Sequence, residues 1–330
     1  VNYNHIEIAN LLSENNIKYV FIKGVASASY YKESTLRMMG DVDVLIDRCD
    51  TEKVNTLLQK LGYTTNDDIF KEDGHIGYKR EISGTLSICE VHFVINGIPD
   101  SLADIFERYI GNILDNTKEI TVANGRCLVP NDFHHGVVLL LHTANHLTNE
   151  GVGLRHLCDW AVFVNSLSND EFVDLFEAPL KEMGLWRFAQ LLTICCEKYL
   201  GIDKKQWVGE AEESLIGNII ADILTGGNFG YKDKDRYGQI KYISDREAHK
   251  VSDRSVFSQL LSSINAKAKT EYNFTKKCKL LLPIAWLAVV FSYLILVLTR
   301  KRKLDNINTI NSARHRQSLY SEFKLFEKNE

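Results

Sequence analysis

Apolar residues recur at helical spacing from the start of the chain. Ile6, Ile8, Ala9, Leu11 and Leu12 mark one face of a helix that stops at the Asn15-Asn16 pair. Tyr19 to Ile22 is a short apolar run ending in Lys23-Gly24, the pattern of a buried strand entering a turn, and Ala26 to Tyr31 predicts a short helix. Val42 to Ile46 reads as a strand in which Asp41 and Asp43 alternate with Val42 and Val44. Thr51 to Leu61 predicts an amphipathic helix closed by Gly62, and two strands follow over Ile76 to Ile82 and Leu86 to Ile95, joined at Ser83-Gly84. After Pro130 the period changes. Val137 to Leu147, Leu154 to Leu167, Asp170 to Met183 and Trp186 to Tyr199 predict four successive helices. The expectation is an α+β chain: a small mixed β-sheet core flanked by helices over 1–130, then a mainly helical domain over 131–330. Gly226 to Tyr237, with Phe229 and Tyr231, reads as a loop.

Leu280 to Thr299 carries no charge, and its length suits a membrane span. Both flanks are basic, however: Lys276, Lys277 and Lys279 before it, and Arg300, Lys301, Arg302 and Lys303 after it. A single span would carry one basic flank outward, against the positive-inside tendency. A packed helix therefore ranks first, an interfacial helix with peripheral membrane contact through 280–303 second, and a span last.

Composition narrows the classes. The 45% of hydrophobic and 25% of charged residues are those of an ordinary folded protein, and the net charge of -4 lacks the basic surplus of a nucleic-acid-coating protein. Seven scattered cysteines with no C-x-x-C pair indicate neither a disulfide framework nor a zinc knuckle. A reducing, cytoplasmic setting is the expectation.

The chemistry concentrates in two stretches. In Gly40-Asp41-Val42-Asp43, two carboxylates two residues apart on a strand point the same way, and they repel unless a cation lies between them. Hard oxygen ligands of this kind suit Mg²⁺. In Cys89-Glu90-Val91-His92, Glu90 and His92 share one strand face inside an apolar run, where a buried acid needs a partner. A shared metal site would supply it.

Phe21-Ile22-Lys23-Gly24, Arg37, Gly40 to Ile46 and Glu90-Val91-His92, followed by Leu141-His142 to His146 and Leu154 to Asp159, together resemble the bacterial "uncharacterised nucleotidyltransferase" group of the DNA polymerase β-like superfamily. The resemblance covers about Lys18 to Asp159. It implies a Mg²⁺- or Mn²⁺-dependent transfer of a nucleoside monophosphate from a nucleoside triphosphate to a hydroxyl. Asp41, Asp43 and Glu90 would be the metal-binding and catalytic acids. Lys23, Gly24, Ser27, Arg37 and Gly40 would line the nucleotide. Val25 stands where the superfamily usually has Ser or Gly after the turn glycine, so Ser27, Ser29 or the backbone amides would meet the phosphates. The acceptor is left open: small molecule, glycan, protein or RNA. The rival reading is a catalytically inactive nucleotide-binding or membrane-peripheral protein on the same scaffold.

Five of the ten histidines fall between His134 and His156. His142 and His146 are four apart on one helical face, a metal-compatible spacing, but the Glu of a zinc-protease motif is missing. The favoured reading is a polar seam in which His92, His146, Arg155 and Asp159 face the acceptor. Arg155 and Asp159 are spaced to brace each other, and Arg37 to pair with Asp41 or Asp43 in a metal-free site.

Overall fold

A computed structural model describes residues 2–227 apart from 70–73, 123 and 150, and with them 264–265, 267–268, 272, 281–298, 316 and 318–327. Helix α1 (Asn2–Glu14) leads to strand β1 (Tyr19–Phe21), a single helical turn α2 (Val25–Ala28), strand β2 (Val42–Ile46), helix α3 (Thr51–Lys60) and the hairpin β3 (His75–Ile82) and β4 (Thr85–His92). These form one mixed sheet of order β1-β2-β4-β3. Strand β2 runs antiparallel to β1 and parallel to β4, and β4 is antiparallel to β3.

The alternation in these strands divides the sheet into two faces of different character. Tyr19, Phe21, Val42, Val44, Ile46, Ile76, Tyr78, Cys89 and Val91 point into one core with Ile8 and Leu12 of α1 and Val54 and Leu58 of α3. The opposite face carries Val20, Ile22 and Leu45, which pack on Ile113 and on Val138 of the following helical layer. Asp43, Glu90 and His92 share that second face. All five residues of β2 are buried, so Asp43 is a charge inside the protein.

Helix α4 (Ala103–Ile110) and a second hairpin, β5 (Thr117–Val122) and β6 (Gly125–Pro130), precede the helical layer. The layer is α5 (Asp132–Asn149), α6 (Leu154–Asn165), α7 (Asn169–Glu182), α8 (Trp186–Leu200) and α9 (Glu213–Gly226). Local signals set its boundaries. Ser168 and Glu171 cap α7 reciprocally, and Gly201 ends α8 in the left-handed conformation with φ +70. The aromatic stack of Trp160, Phe163, Phe172, Phe176, Trp186 and Phe188 fills the centre. Leu102, Phe106 and Ile110 of the α4 region join this core although they precede Pro130, as do Leu319, Tyr320, Phe323 and Leu325 near the C-terminus.

Helix α10 (Leu282–Leu298) lies within the uncharged run. Ala285 and Val289 pack with Ala268, while Ile284, Leu287 and Phe291 are exposed. Among the described residues no helix is long and apolar enough to cross a membrane. The basic flanks of this run and the expected loop beyond Gly227 lie outside the described residues.

Candidate active site

The polar face of the sheet and the helical layer enclose a cleft of about 330 Å³. Its walls include Lys23, Gly24, Ser27, Arg37, Gly40, Asp41, Asp43, Glu90 and His92 from the first part of the chain, and His146, Arg155 and Asp159 from α5 and α6. These twelve candidates from the sequence share the one cavity, whereas Ser29, the other hydroxyl considered for the phosphates, is not in its lining. His75, Asn96, His142, Thr143, Asn145 and His156 line it as well.

Strand register builds the acidic wall. Asp43 lies opposite Glu90, and Leu45 opposite His92, in the parallel β2–β4 pair. Across the next pair Glu90 faces Gly77, so no side chain from β3 stands over it. His92 faces His75, with ring centroids 5.3 Å apart. One donor atom from each of Asp43, Glu90 and His92 falls within 4.8 Å of the others, a spacing that one metal ion can bridge.

The cation beside Asp43 is supplied by the chain itself. Lys23 Nζ donates to Asp43 Oδ1 at 2.7 Å, and His92 Nε2 lies 2.9 Å from the same oxygen. Burial alone would push the Asp43 carboxyl up, but the Lys23 charge and the His92 contact together hold it far below the usual range. Glu90 is held below its ordinary value by a hydrogen bond from His92, against burial and the Asp43 charge. Burial pushes His92 down, and its bonds to Asp43 and Glu90 overcome that and leave it raised. Asp41 goes the other way, raised by burial and by the nearby Asp43 and Glu90 charges. The oxygen donors fit Mg²⁺: both contacts to Asp43 fall on Oδ1, which leaves Oδ2 and the Glu90 carboxylate as hard ligands. Asp41 lies one residue before β2, not on the strand as the sequence pattern suggested, and lines the same cavity outside that close group of donor atoms.

The turn before this wall has a steric requirement. Gly24 adopts φ +42, and a Cβ there would come 3.1 Å from His5 Nε2. Just after it, the buried Ser27 Oγ has no hydrogen-bond partner among the described residues.

Two sequence expectations are corrected. Arg37 does not pair with Asp41 or Asp43, and Arg155 does not brace Asp159. Arg37 instead forms a two-pronged bond to Asp159, Nε to Oδ1 and Nη2 to Oδ2, each 2.8 Å, and Tyr31 Oη donates to Asp159 Oδ1 at 2.8 Å. Arg155 Nη1 reaches the Met38 carbonyl at 3.4 Å. The reason is access: both partners of the Arg37–Asp159 pair are buried where the segment before β2 meets α6, and there a fork-shaped donor and a carboxylate satisfy each other. His92, expected on the acceptor side, is turned onto the two acids.

The helical wall is rich in histidine. Rings of His142 and His146 lie 4.4 Å apart, and His156 lies 5.1 Å and 5.2 Å from them. Burial holds His142 far below its ordinary value and His156 at about 4.

Residues 2–201 match the family of uncharacterised nucleotidyltransferases, and the chain belongs to that family. Among solved structures, it is similar to the antibiotic-resistance factor ANT(2'')-Ia, at 14% identity over 54% of this chain and 92% of that one, with a TM-score of 0.38. An antigenic nucleotidyltransferase-like protein from Paracoccidioides brasiliensis is 14% identical over 62% and 93% of the two chains, with a TM-score of 0.40. A tRNA-processing enzyme in an apo form is 13% identical over 96% of both, with a TM-score of 0.29. The comparison with curated proteins finds no match.

Proposed function

We propose that the chain is a Mg²⁺-dependent nucleotidyltransferase that moves a nucleoside monophosphate from a nucleoside triphosphate to a hydroxyl acceptor. The observation that carries this reading is the acidic wall, where Asp43 and Glu90 sit in register on adjacent strands and share the cleft with Asp41. Family membership supports the same class of reaction.

In the reaction, the acceptor hydroxyl loses its proton to solvent as its oxygen forms a bond to the α-phosphorus, the bond from that phosphorus to the bridging oxygen breaks, and pyrophosphate leaves. Asp41, Asp43 and Glu90 would hold Mg²⁺, or Mn²⁺ in its place, which supplies charge neutralisation at the attacking and leaving oxygens. Lys23, already beside Asp43, is positioned to share its charge with the incoming triphosphate. Ser27 and Gly24 line the cavity beside Lys23, and at Gly40 nothing blocks close approach to the backbone. Glu90 orients the attacking hydroxyl. Arg37 and Asp159, committed to each other, shape the wall rather than grip the nucleotide.

Incubation of the full chain with each of the four α-phosphate-labelled triphosphates, Mg²⁺ and fractionated extract tests the reading. Label should enter one fraction (small molecule, glycan, protein or RNA) with matching pyrophosphate release, and chelation should abolish both. Triphosphate binding without transfer into any fraction would establish the inactive, binding-only alternative.

A further inference from the structure

The helical wall of the cleft carries a second set of ligand atoms that the proposed reaction does not use. We infer that His142, His146 and His156 form a binding site for a divalent late first-row transition-metal ion, Zn²⁺ or its analogues, distinct from the acidic wall.

Geometry carries the inference. His142 and His146 stand one turn apart on α5, and His156 enters from the first turn of α6. One ring nitrogen of each lies within 4.8 Å of the other two, so a small closure brings all three to one ion. Three imidazoles leave a fourth tetrahedral position open, and all three histidines line the cleft.

The hydrogen bonding of His156 points the same way. Its Nδ1 lies 3.3 Å from the Gly153 carbonyl, which can only accept, so Nδ1 carries the proton and Nε2 presents a lone pair. A backbone carbonyl that orients the far nitrogen of a ligand histidine is a common support of metal sites. The same carbonyl accepts from the His156 backbone amide at 3.0 Å and so fixes the start of α6 beneath the ring.

Donor chemistry separates the two walls. Oxygen-rich Asp41, Asp43 and Glu90 suit Mg²⁺, whereas three imidazole nitrogens suit zinc, cobalt, nickel or copper. The i, i+4 spacing of His142 and His146 is visible in the sequence. The third ligand comes from another helix, and only the fold brings it in.

The test uses the full chain without a histidine tag, stripped by chelator and titrated with Co²⁺ alone. A tetrahedral site yields intense visible absorption that saturates at one equivalent and is abolished by one equivalent of Zn²⁺. Asp43→Asn and Glu90→Gln should keep the spectrum, and His142→Gln and His146→Gln should each lose it. The His146→Gln variant with unchanged far-ultraviolet circular dichroism serves as the folded control. Absence of the tetrahedral bands in the parent overturns the inference. So does a spectrum that survives the histidine changes and vanishes with the acids.

Discussion

Replacing Asp159 by Asn removes one charge from the interior and leaves the shape of the side chain almost unchanged. In the parent, the Arg37 guanidinium spends two N–H groups on this carboxylate at 2.8 Å each, and the Tyr31 hydroxyl adds a third bond. The side chains of Arg37 and Asp159 are 8% and 6% exposed, so water cannot replace the lost charge. Breaking one side of a buried, fully bonded ion pair costs about 3–5 kcal/mol, against about 0–1 kcal/mol for a surface pair. With a urea slope of about 3 kcal/mol/M, the midpoint should fall by roughly 1–1.7 M. Substituting both partners, as in Arg37→Met with Asp159→Leu, removes the stranded charge and should recover most of the loss. Urea unfolding followed by far-ultraviolet circular dichroism measures all three proteins at a common slope. A loss below about 1 kcal/mol in Asp159→Asn would refute the claim that this pair joins the segment before β2 to α6 as a desolvated unit.

Asp43→Asn should destabilise the metal-free protein, since it strands Lys23 and His92. Lys23 keeps partial access to water, so the loss should be about 1–3 kcal/mol, read as a lower Tm in chelator. Stability should also fall in mild acid through His135. Both of its ring nitrogens lack a hydrogen-bond partner among the described residues, its ring stacks on Tyr30, and burial lowers it from 6.5 to about 3. The folded state therefore stays neutral while the unfolded chain takes up a proton below pH 6.5, so the stabilisation is present above 6.5 and lost as pH falls toward 3. Between pH 7 and 5 this one group accounts for about 2 kcal/mol, and His135→Phe should flatten the curve of unfolding free energy against pH by that much, read by urea unfolding at each pH. For α10, carbonate washing of membranes from expressing cells should release the protein; complete retention in the pellet would contradict a packed or interfacial helix.

Much of the acidic wall was legible because a strand has a period of two. Asp41, Asp43, Glu90 and His92 announce themselves as polar residues in apolar runs, and the register only adds that Asp43 faces Glu90. Lys23 was legible from the strand-end Lys-Gly. The Arg37–Asp159 pair was not, because its partners are separated by 122 positions and no local pattern couples them. Local spacing instead suggested Arg155 for Asp159, an exposed alternative to a buried one. Helix α9 carried a readable signal in Ile216, Ile219, Ile220 and Ile223. The contribution of α4 to the helical core was hidden, since its Leu102, Phe106 and Ile110 precede the apparent boundary at Pro130.

Binding of each Mg²⁺-nucleoside triphosphate to the parent, Asp41→Asn, Asp43→Asn and Glu90→Gln, measured by calorimetry on the full chain, tests the central claim most directly. The account predicts that the parent and Glu90→Gln bind at least one triphosphate, that Glu90→Gln fails to transfer it, and that both aspartate variants lose Mg²⁺-dependent binding. Aspartate variants that bind Mg²⁺-triphosphate as tightly as the parent would contradict it.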